Sequence, residues 1–193
     1  MPRTKEFDPD VALDAAMELF WSRGYEATST ADLVEHLGIA RASLYATFGS
    51  KHQLYVRALD RYIQSRDPLV VETLSRPGPA LPAVRELLEG FVREATGEQR
   101  ERGCLVVNAA VERLPGDRVV ARCVESSWNT VEVALTSALL RAKAQGELRD
   151  GAEPRRIARF LLVFLEGLRV VGKGGWDERH LRDAVTEALS TFA

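Results

Sequence analysis

Cysteine is scarce in this chain. It occurs twice in 193 residues, as Cys104 and Cys123, with no CxxC spacing and no histidine set nearby. That excludes a disulfide scaffold and a zinc finger, and reads as two reduced, half-buried thiols in a cytosolic protein. Histidine is as sparse: His36, His52 and His180 are not spaced as a metal pair, so neither a metal site nor a cofactor is expected. No GxSxG, GxGxxG or P-loop occurs, and Gly172-Lys173-Gly174-Gly175 lacks the Ser or Thr of a phosphate loop and reads as a helix breaker. An enzyme is therefore not expected. Long apolar runs are missing too. The longest, Phe160 to Leu165, falls far short of the roughly 20 residues of a membrane span. The opening MPRTKEFDPD has no apolar stretch of the signal-peptide kind, so the expected location is the cytoplasm, away from membranes. The net charge of −2 announces no nucleic-acid partner for the chain as a whole; such a partner needs a local basic patch.

What is present is helical periodicity from end to end, with no sustained strand alternation, which predicts an all-α fold. Asp8 caps a first helix, Pro9 suits its first position, and Gly24 ends it in the left-handed conformation. Val11, Ala12, Ala15, Ala16, Leu19 and Phe20 share one face. Ser29 and Asp32 have the spacing of a capping box. They open a short second helix with Leu33, Val34 and Leu37 inside, stopped by Gly38. A third short helix spans about Arg41 to Phe48, and Ser50 caps a fourth from Lys51 to about Arg66. Pro68 and then Arg76-Pro77-Gly78-Pro79 mark the main break in composition. Further helices are predicted from Pro82 to about Ala95, Cys104 to Leu114, Asp117 to about Ala144, Pro154 to Val171, and from Asp177 to the end of the sequence.

Helix, glycine turn, short helix is the arrangement of a helix-turn-helix. Ile39 plugs the turn, while Leu33, Leu37, Leu44 and Phe48 pin the helices together. Arg41, Ala42, Ser43, Tyr45, Ala46 and Thr47 are then left on an outer face of the size a DNA major groove accepts. By spacing alone, a helical hairpin inside a bundle stays open as the alternative. Local charge favours DNA: residues 41–66 carry Arg41, Lys51, Arg57, Arg61 and Arg66 against one acid, Asp60. Arg3 and Lys5 form a short basic arm that reads either as a minor-groove contact or as a disordered tail.

Ala15 to Leu54, AAMELFWSRGYEATSTADLVEHLGIARASLYATFGSKHQL, resembles the DNA-binding domain of the tetracycline-repressor (TetR) family of transcriptional regulators. The match runs through ELF, RGYEATS, the apolar-Gly-Ile turn and SLYATFGSK in order and without gaps. "GCLVVNAAVE", residues 103–112, resembles a segment seen in a subset of that family. The resemblance implies an N-terminal three-helix DNA-binding domain with a helix-turn-helix, plus a C-terminal helical bundle for ligand binding and dimerisation. The divisions are 1–50 for DNA, 51–66 for a linking helix and 67–193 for the rest. It also implies residue roles. Thr28 and Ser29 hold a phosphate, Arg41 and Ser43 read base edges, Tyr45 and Lys51 contact phosphate, and Ala42 and Thr47 lie on the same surface. Ala46 and Thr47 stand where the family often has a larger aromatic and a histidine, pointing to a shallower grip there. Val34 replaces a common alanine, which widens the crossing of the motif's helices.

One short helix reads only a few base pairs, so a homodimer on a double-stranded palindromic operator is expected. Its surface is assigned to the last two helices, through Ile157, Phe160, Leu161, Phe164 and Leu168 on one and Leu181, Val185, Leu189 and Phe192 on the other. The middle helices are expected to enclose a small-molecule effector among Tyr62, Phe91, Cys104, Asn108, Trp128, Val131 and Phe164. The resemblance implies a repressor released by that effector. The competing expectation is a helical small-molecule-binding or adaptor protein with a vestigial helix-turn-helix.

Overall fold

A computed structural model describes residues 7–193; the expected contacts of Arg3 and Lys5 lie outside the described residues. The helices are α1 (Pro9–Arg23), α2 (Thr30–Leu37), α3 (Arg41–Phe48), α4 (Lys51–Ser75), α5 (Ala80–Thr96), α6 (Leu105–Arg113), α7 (Arg118–Ala144), α8 (Pro154–Lys173) and α9 (Glu178–Ser190). A single 3-10 turn, Arg100–Arg102, lies between α5 and α6. The described residues contain no strand.

Helix starts follow local chemistry. Asp8, Ser29, Ser50, Asp117 and Asp177 each accept a backbone N–H of the helix that follows, satisfying donors that the first turn leaves without partners. Gly24 ends α1 as expected, but at φ 86° and ψ 170°. That region lies outside the left-handed helix and is essentially open to glycine alone. Val11, placed inside by periodicity, is exposed at 65%.

Two apolar cores form. The first joins α1, α2, α3 and the start of α4 to α6 and the start of α7, around Phe20, Leu33, Leu44, Phe48, Leu54 and Tyr55. The second joins the end of α4 to α5, α7, α8 and α9, around Leu74, Leu88, Leu135, Leu161, Leu165 and Leu189. Helices α4 and α7 belong to both and connect them. Helix α4 does not stop at Arg66. It runs through Pro68 to Ser75, although proline inside a helix costs about 3 kcal/mol. Burial of Val70 and Leu74 in the second core offsets that cost. At the far end, the Arg141 guanidinium donates to the carbonyls of Leu74 (3.0 Å) and Arg76 (3.3 Å).

The glycine run at the end of α8 is likewise only partly a breaker. Gly172 is helical and buried, and a Cβ there lies 2.6 Å from Ala95 Cβ and 3.1 Å from Ala95 Cα. Its role is to let α8 approach α5. Gly172→Ala is expected to destabilise by about 1–3 kcal/mol through overpacking against backbone. The melting temperature should drop by roughly 3–10 °C in thermal unfolding followed by circular dichroism. A shift under about 1 °C would mean that the two helices part without strain.

Candidate nucleic-acid interface and effector cavity

The recognition surface is built by its anchors. Ser29 Oγ accepts from Asp32 N–H (3.1 Å), and Asp32 Oδ2 accepts from Ser29 N–H (2.7 Å) and from its hydroxyl (2.5 Å). These bonds to Ser29 hold the Asp32 carboxyl below its ordinary pKa. Gly38 takes the left-handed conformation at φ 62°, ψ 27°, a turn that only glycine makes without penalty. Leu44 and Phe48 then enter the core, Ile39 packs against it, and Arg41, Ala42 and Ala46 stand exposed with Ser43, Tyr45 and Thr47 half-exposed beside them. Ala40 precedes α3 with no side-chain cap. The first N–H groups of α3 therefore face outward without a side-chain acceptor, with the positive end of the helix dipole behind them.

Tyr45 is positioned by two neighbours. Its hydroxyl lies 3.4 Å from Thr30 Oγ1 and 3.4 Å from Arg41 Nη2, and the Arg41 guanidinium sits 5.6 Å from its ring centre. The hydroxyl's bond to Thr30, then that to Arg41, lowers its pKa. Lys51 Nζ rests 4.1 Å from the centre of the Tyr25 ring.

Thr28 departs from its expected role. It is fully buried, and its hydroxyl donates to Gly24 O at 2.7 Å, so it holds the loop before α2 rather than a phosphate. The basic segment is also smaller than its composition implied. Arg61 Nε and Nη2 grip Asp14 at 2.8 and 3.0 Å, and Arg66 pairs with Glu94 at 3.6 Å. Arg41, Lys51 and Arg57 remain on the outside. Arg57, whose Nη1 reaches Thr47 O at 3.4 Å, was not assigned a role by the sequence, and neither was Thr30.

Polar groups tie the DNA-side helices to the 3-10 turn, α6 and the start of α7 around the first core. Trp21 Nε1 donates to Gly103 O at 2.8 Å, and Tyr25 N donates to Glu112 Oε2 at 2.8 Å. Arg102 pairs with Glu18, and Arg113 with Glu26. His52 Nε2 meets Asp117 Oδ2 at 2.7 Å.

A cavity of about 300 Å³ opens between α1, α4, α5, the 3-10 turn and α8, walled by Trp21, Tyr62, Phe91, Cys104 and Arg169. A smaller one of about 160 Å³ adjoins it, sharing Tyr62, Phe91, Cys104 and Arg169 and adding Asp67, Ser127 and Val131. Four expected effector contacts are thus brought together: Tyr62, Phe91, Cys104 and Val131. Three are not. Asn108 bonds Arg102 O (2.9 Å) and Lys173 Nζ (3.1 Å) in a separate surface cleft. Trp128 packs against the first core, and Phe164 stacks on Phe160 with centres 5.9 Å apart.

The polar groups of the cavity were not foreseen. Arg169 Nη1 donates to both Glu166 carboxylate oxygens at 3.1 and 3.2 Å, and its guanidinium lies 4.3 Å from the centre of Phe91. Burial raises the Glu166 carboxyl pKa, with Arg169 opposing; burial raises Asp67 likewise, against a 3.0 Å bond from Ser127. Both Glu166 and Arg169 lie on α8, between apolar positions, and a charge in such a place is a signal for an internal pair.

The assigned dimer residues divide. Leu161, Leu168, Leu181, Val185, Leu189 and Phe192 are buried in this chain's own second core, because α8 and α9 spend those faces on α5 and α7. Phe160 is exposed, while Ile157 and Phe164 are half-buried. The uncovered apolar stripe of α8 is Phe160, Val163, Val170 and Val171.

An outward helix-turn-helix joined through shared helices to a bundle with a cavity defines a DNA-binding transcriptional regulator. The family model for bacterial regulatory proteins of the tetR family matches residues 12–58, and that for the tetracyclin repressor-like C-terminal domain matches residues 80–189. The chain belongs to the tetR family. It is 38% identical over 193 residues, all of both chains, to the uncharacterized HTH-type transcriptional regulator YezE of Bacillus subtilis. It is 33% identical over 178 residues to the HTH-type transcriptional repressor ComR of Escherichia coli, covering 90% of this chain and 83% of ComR. Among solved structures, a cysteine mutant of the TetR family transcriptional regulator CifR, complexed with 26-bp double-strand operator DNA, superposes with a TM-score of 0.86 at 33% identity. That match covers 99% of this chain and 100% of CifR. Among the described residues, no helix is long and apolar enough to cross a membrane.

Proposed function

We propose that the protein is a repressor that binds a palindromic operator as a homodimer and is released when a small molecule enters the α4–α5–α8 cavity. The carrying observation is α3, anchored by Leu44 and Phe48 and presenting Arg41, Ala42 and Ser43 outward. Similarity to ComR, a repressor, and to CifR, bound to operator DNA, supports the same reading. Residues 1–50 form the DNA-binding unit, 51–66 the link and 67–193 the effector and dimer unit. Arg41 and Ser43 read base edges. Tyr45, Lys51 and Ser29 contact phosphates, with Arg57 and Thr30 added to that surface.

Selection of bound sites from random DNA tests the proposal. Expected are two inverted half-sites whose centres lie about 34 Å apart; recovery of no palindrome would overturn it. On the selected site, Arg41→Ala is expected to lose about 1–3 kcal/mol of discrimination per half-site. Lys51→Ala should instead weaken all sequences alike and flatten the salt slope by about 1 per subunit. Parent-like binding by both variants would remove these residues from the interface.

A further inference from the structure

Arg169 carries an unused hydrogen-bonding edge. Only 18% of its side chain is accessible, yet among the described residues only Nη1 has a hydrogen-bond partner, Glu166. Nε and Nη2 form the other fork of the guanidinium. Elsewhere in this chain the same fork is filled: Arg61 Nε and Nη2 clasp Asp14 at 2.8 and 3.0 Å. Stacking on Phe91 at 4.3 Å fixes the plane of Arg169, and the residue lines both cavities. A largely buried guanidinium fork that faces accessible space matches a carboxylate, which accepts two parallel N–H bonds.

The other charges around the space point the same way, because half-buried Glu166 and Asp67 and exposed Glu86 and Glu94 already have partners, Glu86 in Arg76. Glu166 has Arg169, Asp67 has the Ser127 hydroxyl at 3.0 Å, and Glu94 has Arg66 at 3.6 Å. At the rim, exposed Glu98 and Arg100 offset one another. Trp21, Tyr62 and Phe91 supply apolar walls. We propose that the effector is a small, otherwise apolar monocarboxylate whose carboxylate occupies the Nε–Nη2 fork of Arg169 and whose body lies against Trp21, Tyr62 and Phe91. This rests on the reading of the cavity as the effector site.

The probes are octanoate, 3-phenylpropionate and 2-naphthoate, of about ten to thirteen heavy atoms and suited to a cavity of this size, each paired with its primary amide. Full-length protein is titrated calorimetrically, with thermal shift in parallel. At least one acid is expected to bind saturably, about tenfold or more tighter than its amide. Arg169→Lys keeps the charge and loses the fork. It should melt near the parent and lose that preference. Glu166→Gln removes the competing carboxylate and should tighten the acid severalfold. The proposal is overturned if no acid binds, if acid and amide bind alike, or if Arg169→Lys keeps the preference. Operator gel shifts separate the two readings. An acid that binds through Arg169 without altering operator affinity leaves the site standing and removes release by that effector. A non-acid that binds the cavity and releases operator, where no acid binds, does the reverse.

Discussion

Replacing Val163 by glutamate is expected to convert the dimer to a monomer and to lower operator affinity more than 100-fold, a loss of about 2.7 kcal/mol or more. Val163 is 73% exposed in the single chain, with Phe160 at 45%, Val170 at 53% and Val171 at 42% along the same helix. Nothing among the described residues covers this stripe, and Gly167 at its centre has no neighbour within 4 Å of where a Cβ would stand. In a two-fold dimer the stripe meets its own copy, so one substitution introduces two carboxylates into one apolar contact. Burying them without partners costs several kcal/mol each. Because Val163 contributes nothing to the intrachain core, the monomer should keep its helical content. Light scattering at micromolar concentration would report the mass, and a gel shift the affinity. A persisting dimer would move the interface off α8. Leu161→Glu provides the contrast: Leu161 is fully buried, and that variant is expected to lose folded protein altogether.

That contrast marks what the sequence could tell. Capping is local chemistry, so Asp8, Ser29, Ser50, Asp117 and Asp177 were each legible as helix starts from a few neighbouring residues. The helix-turn-helix was legible for the same reason, since Gly38, Ile39, Leu44 and Phe48 act across one turn. The apolar face of α8 covers more than half its circumference. Periodicity cannot divide such a face between Leu161 and Leu168, which meet this chain's own helices, and Val163, which meets none. Charge shows the same limit. Arg61 and Arg66 are basic residues in a basic segment, but Asp14 and Glu94 across the fold take them away from the DNA side. Arg169 is the reverse case. Its place among apolar positions of α8 signals an internal charge, but only its long-range setting beside Phe91, Tyr62 and Cys104 makes it the polar centre of the cavity. Pro68 failed as a stop signal because packing on both sides of it holds α4 together.

Asp117→Ala is expected to destabilise the protein by about 2–4 kcal/mol and to weaken operator binding without touching DNA. The carboxylate is 7% exposed and serves three groups at once. It caps α7 by accepting from Val119 N (3.1 Å) and Val120 N (3.2 Å), meets His52 Nε2 at 2.7 Å, and takes Arg113 Nη2 at 3.3 Å. Loss of the cap accounts for about 1 kcal/mol. The remainder comes from leaving Arg113 and His52 without their partner, discounted because both are partly exposed. Melting should fall by roughly 5–15 °C. Burial opposes the charge of Asp117, but its bonds from Val120 N–H and His52 outweigh that and hold its carboxyl below the ordinary value. A depressed carboxyl pKa stabilises the fold above the unfolded value, near pH 4, and that contribution disappears as pH falls through the folded value. Parent and variant should therefore differ most at neutral pH and converge on acidification below about pH 4. Asp117→Asn separates the parts, since asparagine still caps but carries no charge. It should recover the cap's share of stability while the pH-dependent share stays lost. His52 is the immediate neighbour of Lys51 on α4, so loosening the pair frees the start of that helix on the DNA side. An Asn variant with parental stability and a parental pH profile would mean that Asp117 acts as a cap alone and that the joint between the DNA-side helices and α6 is held by Glu112 and Glu26.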